Sequence, residues 1–357
     1  MQKEIIEEIN SYKKAIELEP EEASNYYLLA QEYDRAKEYP KAIETCQKAI
    51  EYEIKDIESW NTFEFGYCMK DKYFLSGYYN FLASMYNKIE NYSQAIEYYK
   101  KAIELEPDDA SNYASLGYVY AGLREYARAK ELYEKAIELN PNHASYHWFL
   151  ANVYKEIEEY GKAIECYKKS IELNPNDATY HWSLANVYYD GTEEYFKAIE
   201  YYQKAIELEP DDASNYHSLA YVYYEIKEYV KAIELYSKAI EFEPDGTWHY
   251  VSLGYVYEVI DEPIKAIELF EKFIEIEPDY INDYYFISKA YVDRVAYQKA
   301  IKYYKMVIEE EDELSVSDLE KLYKEEFPNY VQTDKGTFLD DKHEEVLGNL
   351  LLNNKKG

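Results

Sequence analysis

The stretch SYHWFLANVY, Ser145 to Tyr154, returns nearly unchanged as TYHWSLANVY at Thr179 to Tyr188. Each copy carries a His-Trp pair with an Asn four residues after the Trp, residue types that can ligate a metal, move a proton or hold a partner. Metal ligation needs a convergent His, Cys, Asp or Glu set, and no H-E-x-x-H occurs; HEEVL at 343–347 lacks the second His. Cys46, Cys68 and Cys166 are far apart and form no C-x-x-C pair, so they read as reduced structural thiols. The chain also lacks a P-loop, a G-x-G-x-x-G and a G-x-S-x-G. No catalytic residue, metal or cofactor is therefore expected, and recognition is the chemistry that remains. A Trp can anchor an interface, and an Asn offers a donor and an acceptor that can pair with a ligand's backbone.

The elements that must position these residues are repeats. Prolines fall at 107, 141, 175, 210, 244 and 278, so the gaps are 34, 34, 35, 34 and 34. The extra residue lies in the turn DGTEEY, and the run KAIELEPDDASNY occurs identically at 101–113 and 204–216. Within 110–141, Tyr113, Leu116, Gly117 and Tyr120 form one helical stripe, and Ala129, Tyr133 and Ala136 form a second. Each Pro stops the second helix, and the PDDAS segments offer Asp and Ser as N-caps for the next.

This pattern resembles the tetratricopeptide repeat (TPR) family, whose motif W-x2-L-G-x2-Y, A-x3-F-x2-A and P is matched by those residues and Pro141. Tyr216/Leu219/Ala220/Tyr223 with Ala232/Tyr236/Ala239 and Pro244 match it again, as do Tyr250/Leu253/Gly254/Tyr257 with Ala266/Phe270 and Pro278. Tyr26/Leu29/Ala30/Tyr33 with Ala42/Ala49 gives an earlier unit in which Cys46 and Ile54 replace the aromatic and the Pro. The resemblance implies an all-α fold: a right-handed superhelical solenoid of antiparallel helix pairs with capping helices. The expected organisation is a capping helix at 1–20, a unit at 21–56, a helical insertion at 57–75, seven units over 76–314, and capping and amphipathic tail helices at 315–357.

Two surfaces differ in chemistry. The second helices carry Glu followed four residues later by Lys (Glu97/Lys101, Glu131/Lys135, Glu165/Lys169 and onward), the mark of a solvated face. Beside the core stripe of the first helices runs another: Trp148/Asn152/Lys155, Trp182/Asn186/Tyr189, His217/Tyr221/Tyr224 and Val251/Tyr255/Glu258. It is aromatic with interspersed amides, as recognition surfaces are. The resemblance implies that this face lines a groove holding a peptide or helix of a partner protein. Trp148, Asn152, Lys155, Trp182, Asn186, Tyr189, His217, Tyr221, Tyr224 and Tyr255 are the candidate contacts. Asn152 and Asn186 match the asparagine of the family's carboxylate clamp, but its basic places hold Trp148, Trp182, His217 and Ser214, which disfavours acidic chaperone tails. His147 and His181 take core places filled by Tyr113 and Tyr216 in sister repeats, so packing with a hydrogen bond is expected of them.

With Lys+Arg 39 against Asp+Glu 71, the net charge of −32 would repel a phosphate backbone and suits a neutral or basic protein partner. The start MQKEIIEEINSYKK shows no apolar leader, and no window approaches the roughly eighteen apolar residues of a membrane span. A cytoplasmic, non-enzymatic scaffold is the expectation. Its alternatives are an acidic inhibitor or chaperone of a basic protein, and a regulatory subunit of a separate enzyme with the 338–352 helix in its own groove.

Overall fold

The structure is a computed structural model describing residues 2–61 and 69–277, and every regular element among them is a helix. The described helices fall into two compact units, one ending at Thr192 and one beginning at Glu193. In the first, α1 (Gln2–Leu18) precedes the antiparallel pairs α2 (Ala23–Arg35) and α3 (Tyr39–Asn61), α4 (Met69–Lys88) and α5 (Tyr92–Leu105), α6 (Ala110–Gly122) and α7 (Tyr126–Leu139), and α8 (Ala144–Glu156) and α9 (Tyr160–Leu173). It ends with α10 (Ala178–Asn186), which runs into a π-helical turn at Val187–Gly191. The second unit holds α11 (Tyr195–Leu208), α12 (Ala213–Glu225) paired with α13 (Tyr229–Phe242), and α14 (Thr247–Val259) paired with α15 (Pro263–Ile276).

The two stripes build the core as their spacing predicts. On the second helices an aromatic ring is buried between two small residues, as in Ala95/Tyr99/Ala102, Ala129/Tyr133/Ala136 and Ala232/Tyr236/Ala239. The alanines lose all exposure, which lets the paired backbones approach until the ring fills the space between them. Gly117 shows how close that is: a Cβ there would lie 2.9 Å from the Tyr133 ring. The caps also form as expected, with the carboxylates of Asp109, Asp177 and Asp212 accepting from the backbone N–H of Ser111, Thr179 and Ser214 at 2.8–3.0 Å. Each such cap contributes about 1 kcal/mol.

Departures from the pattern have local causes. Ile54 stands where sister repeats have Pro, so α3 does not stop; it runs to 23 residues against 14 for α5. The insertion expected at 57–75 is thereby divided, its start extending α3 and its end opening α4, while 62–68 lie outside the described residues. So do the unit at 281–314 and the tail at 315–357. The extra residue, expected in the turn DGTEEY, is taken up partly within the helix, as the π-helical turn that includes Asp190 and Gly191. On the first helix, Ile5, Ile9, Tyr12 and Ile16 pack on the core as their spacing predicts. The second-helix lysines depart from the expected pairing: Lys101 does bond Glu97, but Lys135, Lys169, Lys204 and Lys272 turn to the Glu three residues onward. A glutamate lies within reach on either side, and either pair contributes only about 0.2–0.5 kcal/mol.

Each turn between paired helices uses one residue in the left-handed region, and none of these is glycine: Lys37, Glu90, Arg124, Glu158, Lys227 and Asp261 have φ of 58–66°. The next N–H then reaches back to the carbonyl of a Tyr five residues earlier, as Glu228 does to Tyr223 at 2.8 Å. That Tyr also lies under a cation: Lys231 is 4.9 Å from the Tyr223 ring centre and pairs with Glu228 at 3.5 Å. A side chain with a Cβ is strained at such a φ. Lys227→Gly is therefore expected to stabilise the chain by about 0.5–1 kcal/mol, and the β-branched Lys227→Val to destabilise it by about 1–2 kcal/mol. Urea unfolding followed by circular dichroism measures both, and identical midpoints would contradict strain at the turn.

Candidate functional site

The stripe beside the core of the first helices carries the candidate residues, and its two halves are built differently. On α8, the indole N–H of half-buried Trp148 donates to the Ser183 hydroxyl on α10 at 2.9 Å, and its ring lies 5.2 Å from Phe149. Asn152 links this face to the core. Its NH2 donates to the Trp148 carbonyl at 3.1 Å, and its Oδ1 accepts from the hydroxyl of Tyr167 at 2.7 Å. Tyr167 is the fully buried ring of α9, so Asn152 satisfies a hydroxyl that water cannot reach. One N–H and one acceptor direction of the amide remain for a ligand. Lys155 pairs with Glu156 at 3.3 Å and also lies near Asp190, whose carboxyl burial pushes up and Lys155 pulls down. Trp182 and Asn186 on α10 and Tyr189 in the π-helical turn are half-buried.

In the second unit, the α12 residues His217, Tyr221 and Tyr224 and the α14 residue Tyr255 occupy the same stripe. Tyr221 is the most open, at 41% exposure; its ring centre is 6.2 Å from that of Tyr224, which is 6.0 Å from that of Tyr229. The Tyr224 phenol is held above its ordinary range by burial first, then by Glu225, the two neighbouring tyrosines and Glu258. The Tyr255 ring meets the edge of Phe270 at 5.7 Å.

His217 belongs to a cluster that spacing alone does not reveal. Its Nδ1 lies 3.0 Å from Nδ1 of the fully buried His249, whose Nε2 lies 3.1 Å from a Glu243 carboxylate oxygen. Carboxylate oxygen only accepts, so His249 Nε2 carries the proton and its bare Nδ1 accepts from His217 Nδ1–H. Trp248 lies against both imidazoles at 4.1 and 4.4 Å. Gly246 occupies the place of the capping aspartates, and a Cβ there would come within 2.6 Å of the His249 ring. The signal for this cluster is a separation of 32 residues, also seen where Asn80 donates to Asn112 at 2.6 Å. Trp148 and Ser183 are 35 apart. Residues on successive first helices thus meet at the repeat length less two, plus one or plus two, and a search at 34 misses them.

His147 and His181 are hydrogen-bonded packing residues. Their Nε2 atoms lie 2.9 and 3.0 Å from the carbonyls of Pro141 and Pro175, which fixes the Nε2–H form. Tyr113, Tyr216 and Tyr250 donate their hydroxyls to Pro107, Pro210 and Pro244 in the same way. Burial pushes the Cys46 thiol far up and, with Glu165 and Glu134, the Cys166 thiol to about 11, so neither is a thiolate at neutral pH. Among the described residues no group of three or more His, Cys, Asp or Glu could hold a metal, and no helix is long and apolar enough to cross a membrane.

Comparison with known proteins follows the repeats. A model described as TPR repeat matches residues 151–191, and tetratricopeptide repeat models match 23–53 and 176–243. A model of subunit 3 of the anaphase-promoting complex, or cyclosome, matches 88–170, and a Sel1 repeat model matches 284–310. Among solved structures, Pseudomonas aeruginosa pilF is similar at 20% identity over 62% of this chain and 99% of its own, with a TM-score of 0.52. MamA of Desulfovibrio magneticus RS-1 is 26% identical over 50% of this chain and 99% of its own, with a TM-score of 0.45. YrrB, described as a TPR protein with an unusual peptide-binding site, is 25% identical over 52% of this chain and 95% of its own, with a TM-score of 0.43. No curated protein matches the chain.

Asn152→Ala is expected to cost about 1–3 kcal/mol, because the buried Tyr167 hydroxyl loses its acceptor. Adding Tyr167→Phe should recover part of that loss in a double-mutant cycle followed by urea unfolding; strictly additive effects would contradict the coupling. The histidines predict an acid response. Burial first, then His249, lowers the His217 pKa from 6.5 to about 3, and burial lowers that of His249 against the pull of Glu243. The folded state thus favours neutral imidazoles. Their contribution is complete above pH 6.5, where the unfolded chain is also neutral, and is lost as pH falls towards about 3. Relative to His217→Gln, whose amide can still donate to His249, the native chain should lose stability across this window. Parallel unfolding curves of the two proteins at all pH values would contradict it.

Proposed function

Because this chain is a tetratricopeptide-repeat protein, we propose that it is a non-enzymatic scaffold whose first-helix faces hold a peptide or helix of a partner protein. One observation supports this reading above the others: the second helices line their outward face with ion pairs, whereas the first helices keep aromatic and amide side chains partly open to solvent. Trp182, Tyr189, Tyr221, Tyr224 and Tyr255 supply rigid, amphipathic contact area. Asn152 and Asn186 supply amide groups for a ligand's backbone, and Lys155, already paired with Glu156, is the one cation among the candidates. His217 is held by His249 and Trp248, so its place is as a shaped wall of the face.

The acidic balance favours a neutral or basic partner. It also motivates a second reading, in which the charged surface as a whole shields a basic protein. The two readings separate in one affinity capture from the native host, using the full chain and a variant carrying Trp182→Ala, Tyr189→Ala, Tyr221→Ala and Tyr255→Ala. The face reading expects a partner that survives high salt and is lost from the variant, with helical circular dichroism unchanged. A partner retained equally by both proteins would overturn it. One released by salt from both alike would favour the shield.

A further inference from the structure

Resting on the reading of the first-helix faces as protein-binding surfaces, we propose that the junction of α12 and α13 is a pocket for a cationic side chain, a lysine or arginine of the bound segment. Tyr221, Tyr224 and Tyr229 set three phenol rings in a row, with neighbouring centres 6.2 and 6.0 Å apart. Tyr221 is exposed and the other two are half-buried, so the ring faces are partly open to solvent. Glu225, exposed at the end of α12, is the charged side chain that acts most on the Tyr224 phenol. Among the described residues no Lys or Arg lies over the Tyr224 ring or pairs with Glu225.

The molecule itself shows how this combination is satisfied. At the ends of α2, α6, α8, α12 and α14 a cation lies over a tyrosine while its charged head pairs with a glutamate. Arg128 is 5.3 Å from the Tyr120 ring and 2.5 Å from Glu125, and Lys265 is 5.2 Å from the Tyr257 ring and 3.8 Å from Glu262. Tyr224 and Glu225 present the same two kinds of group without a cation. On α8 the place of Tyr224 belongs to Lys155, which pairs with Glu156, so that face does not repeat the pocket. A carboxylate ligand would meet Glu225 and be repelled, whereas an ammonium or guanidinium gains both the ring quadrupole and the opposite charge. The net charge of −32 steers in the same direction.

A random dodecapeptide library displayed on phage, panned against the immobilised full chain, tests this. Recovered sequences should share a Lys or Arg at one fixed position, and a synthetic peptide with norleucine there should bind about tenfold more weakly. Tyr224→Leu should cost a similar factor, while Tyr224→Phe, which keeps the ring, should cost less than about twofold. Glu225→Gln should flatten the salt dependence. Recovered sequences without a common basic position, equal binding of the norleucine peptide, or indistinguishable Leu and Phe variants would each overturn the pocket and leave the face reading standing. If no sequence is retained, or those retained ignore the fourfold variant of Trp182, Tyr189, Tyr221 and Tyr255, the face reading itself falls and the pocket with it.

Discussion

The packing of the described repeats depends on one buried ring in each second helix from α5 to α15, a place that Cys46 takes in α3. Tyr99, Tyr133, Tyr167, Tyr202, Tyr236 and Phe270 sit four residues after an alanine with no exposure, in the middle of their second helices. A ring of that size held between small residues admits one rotation of the paired first helix. That rotation turns Leu116 and Tyr120, or Leu219 and Tyr223, inward, and sets the neighbouring stripe along the margin of the ring, where His217 meets Tyr236 and Tyr255 meets Phe270. The candidate contacts owe their placement to this packing, and Asn152 is bonded directly to one of the rings.

The helices, their order and their core were legible because they depend on periodicity, and periodicity is written in the residues. So was the role of His147 and His181, since Tyr in sister repeats already indicated a donor aimed at the proline carbonyl. The first-helix stripe was legible as a pattern, but its bonding was not. Trp148 and Asn152 read as two groups offered outward, yet the indole N–H is committed to Ser183 and much of the amide to Trp148 and Tyr167. The His217 and His249 pair was hidden for a geometric reason: successive first helices meet out of step with the repeat, and no local propensity records that offset. Ile54 and the lysine pairings show a further limit. The absence of a proline is a weak mark in a sequence although it lengthens a helix, and two glutamates in equal reach of one lysine leave its choice undetermined.

The two units present different chemistry from the same scaffold. The first offers amides, indoles and a lysine paired with Glu156; the second offers phenols and carboxylates. Such a change within an array of near-copies costs the fold least where the stripe residue is partly open to solvent, as Tyr221 and Tyr224 are. Divergence at Tyr189 or Tyr224 can alter the chemistry of this face while the core residues keep their places.

The π-helical turn at Val187–Gly191 bears on how such an array can change length. In a regular α-helix one added residue swings every later side chain by about 100°, which would turn the residues that follow it out of register with the core. Here the surplus is absorbed within a single wider loop of backbone, and Ala198 and Tyr202, which follow it, are buried as their sister residues are. The repeat has in effect a slack link at the end of its first helix. Insertions or deletions of one residue can be accepted there without re-registering the side chains that follow it.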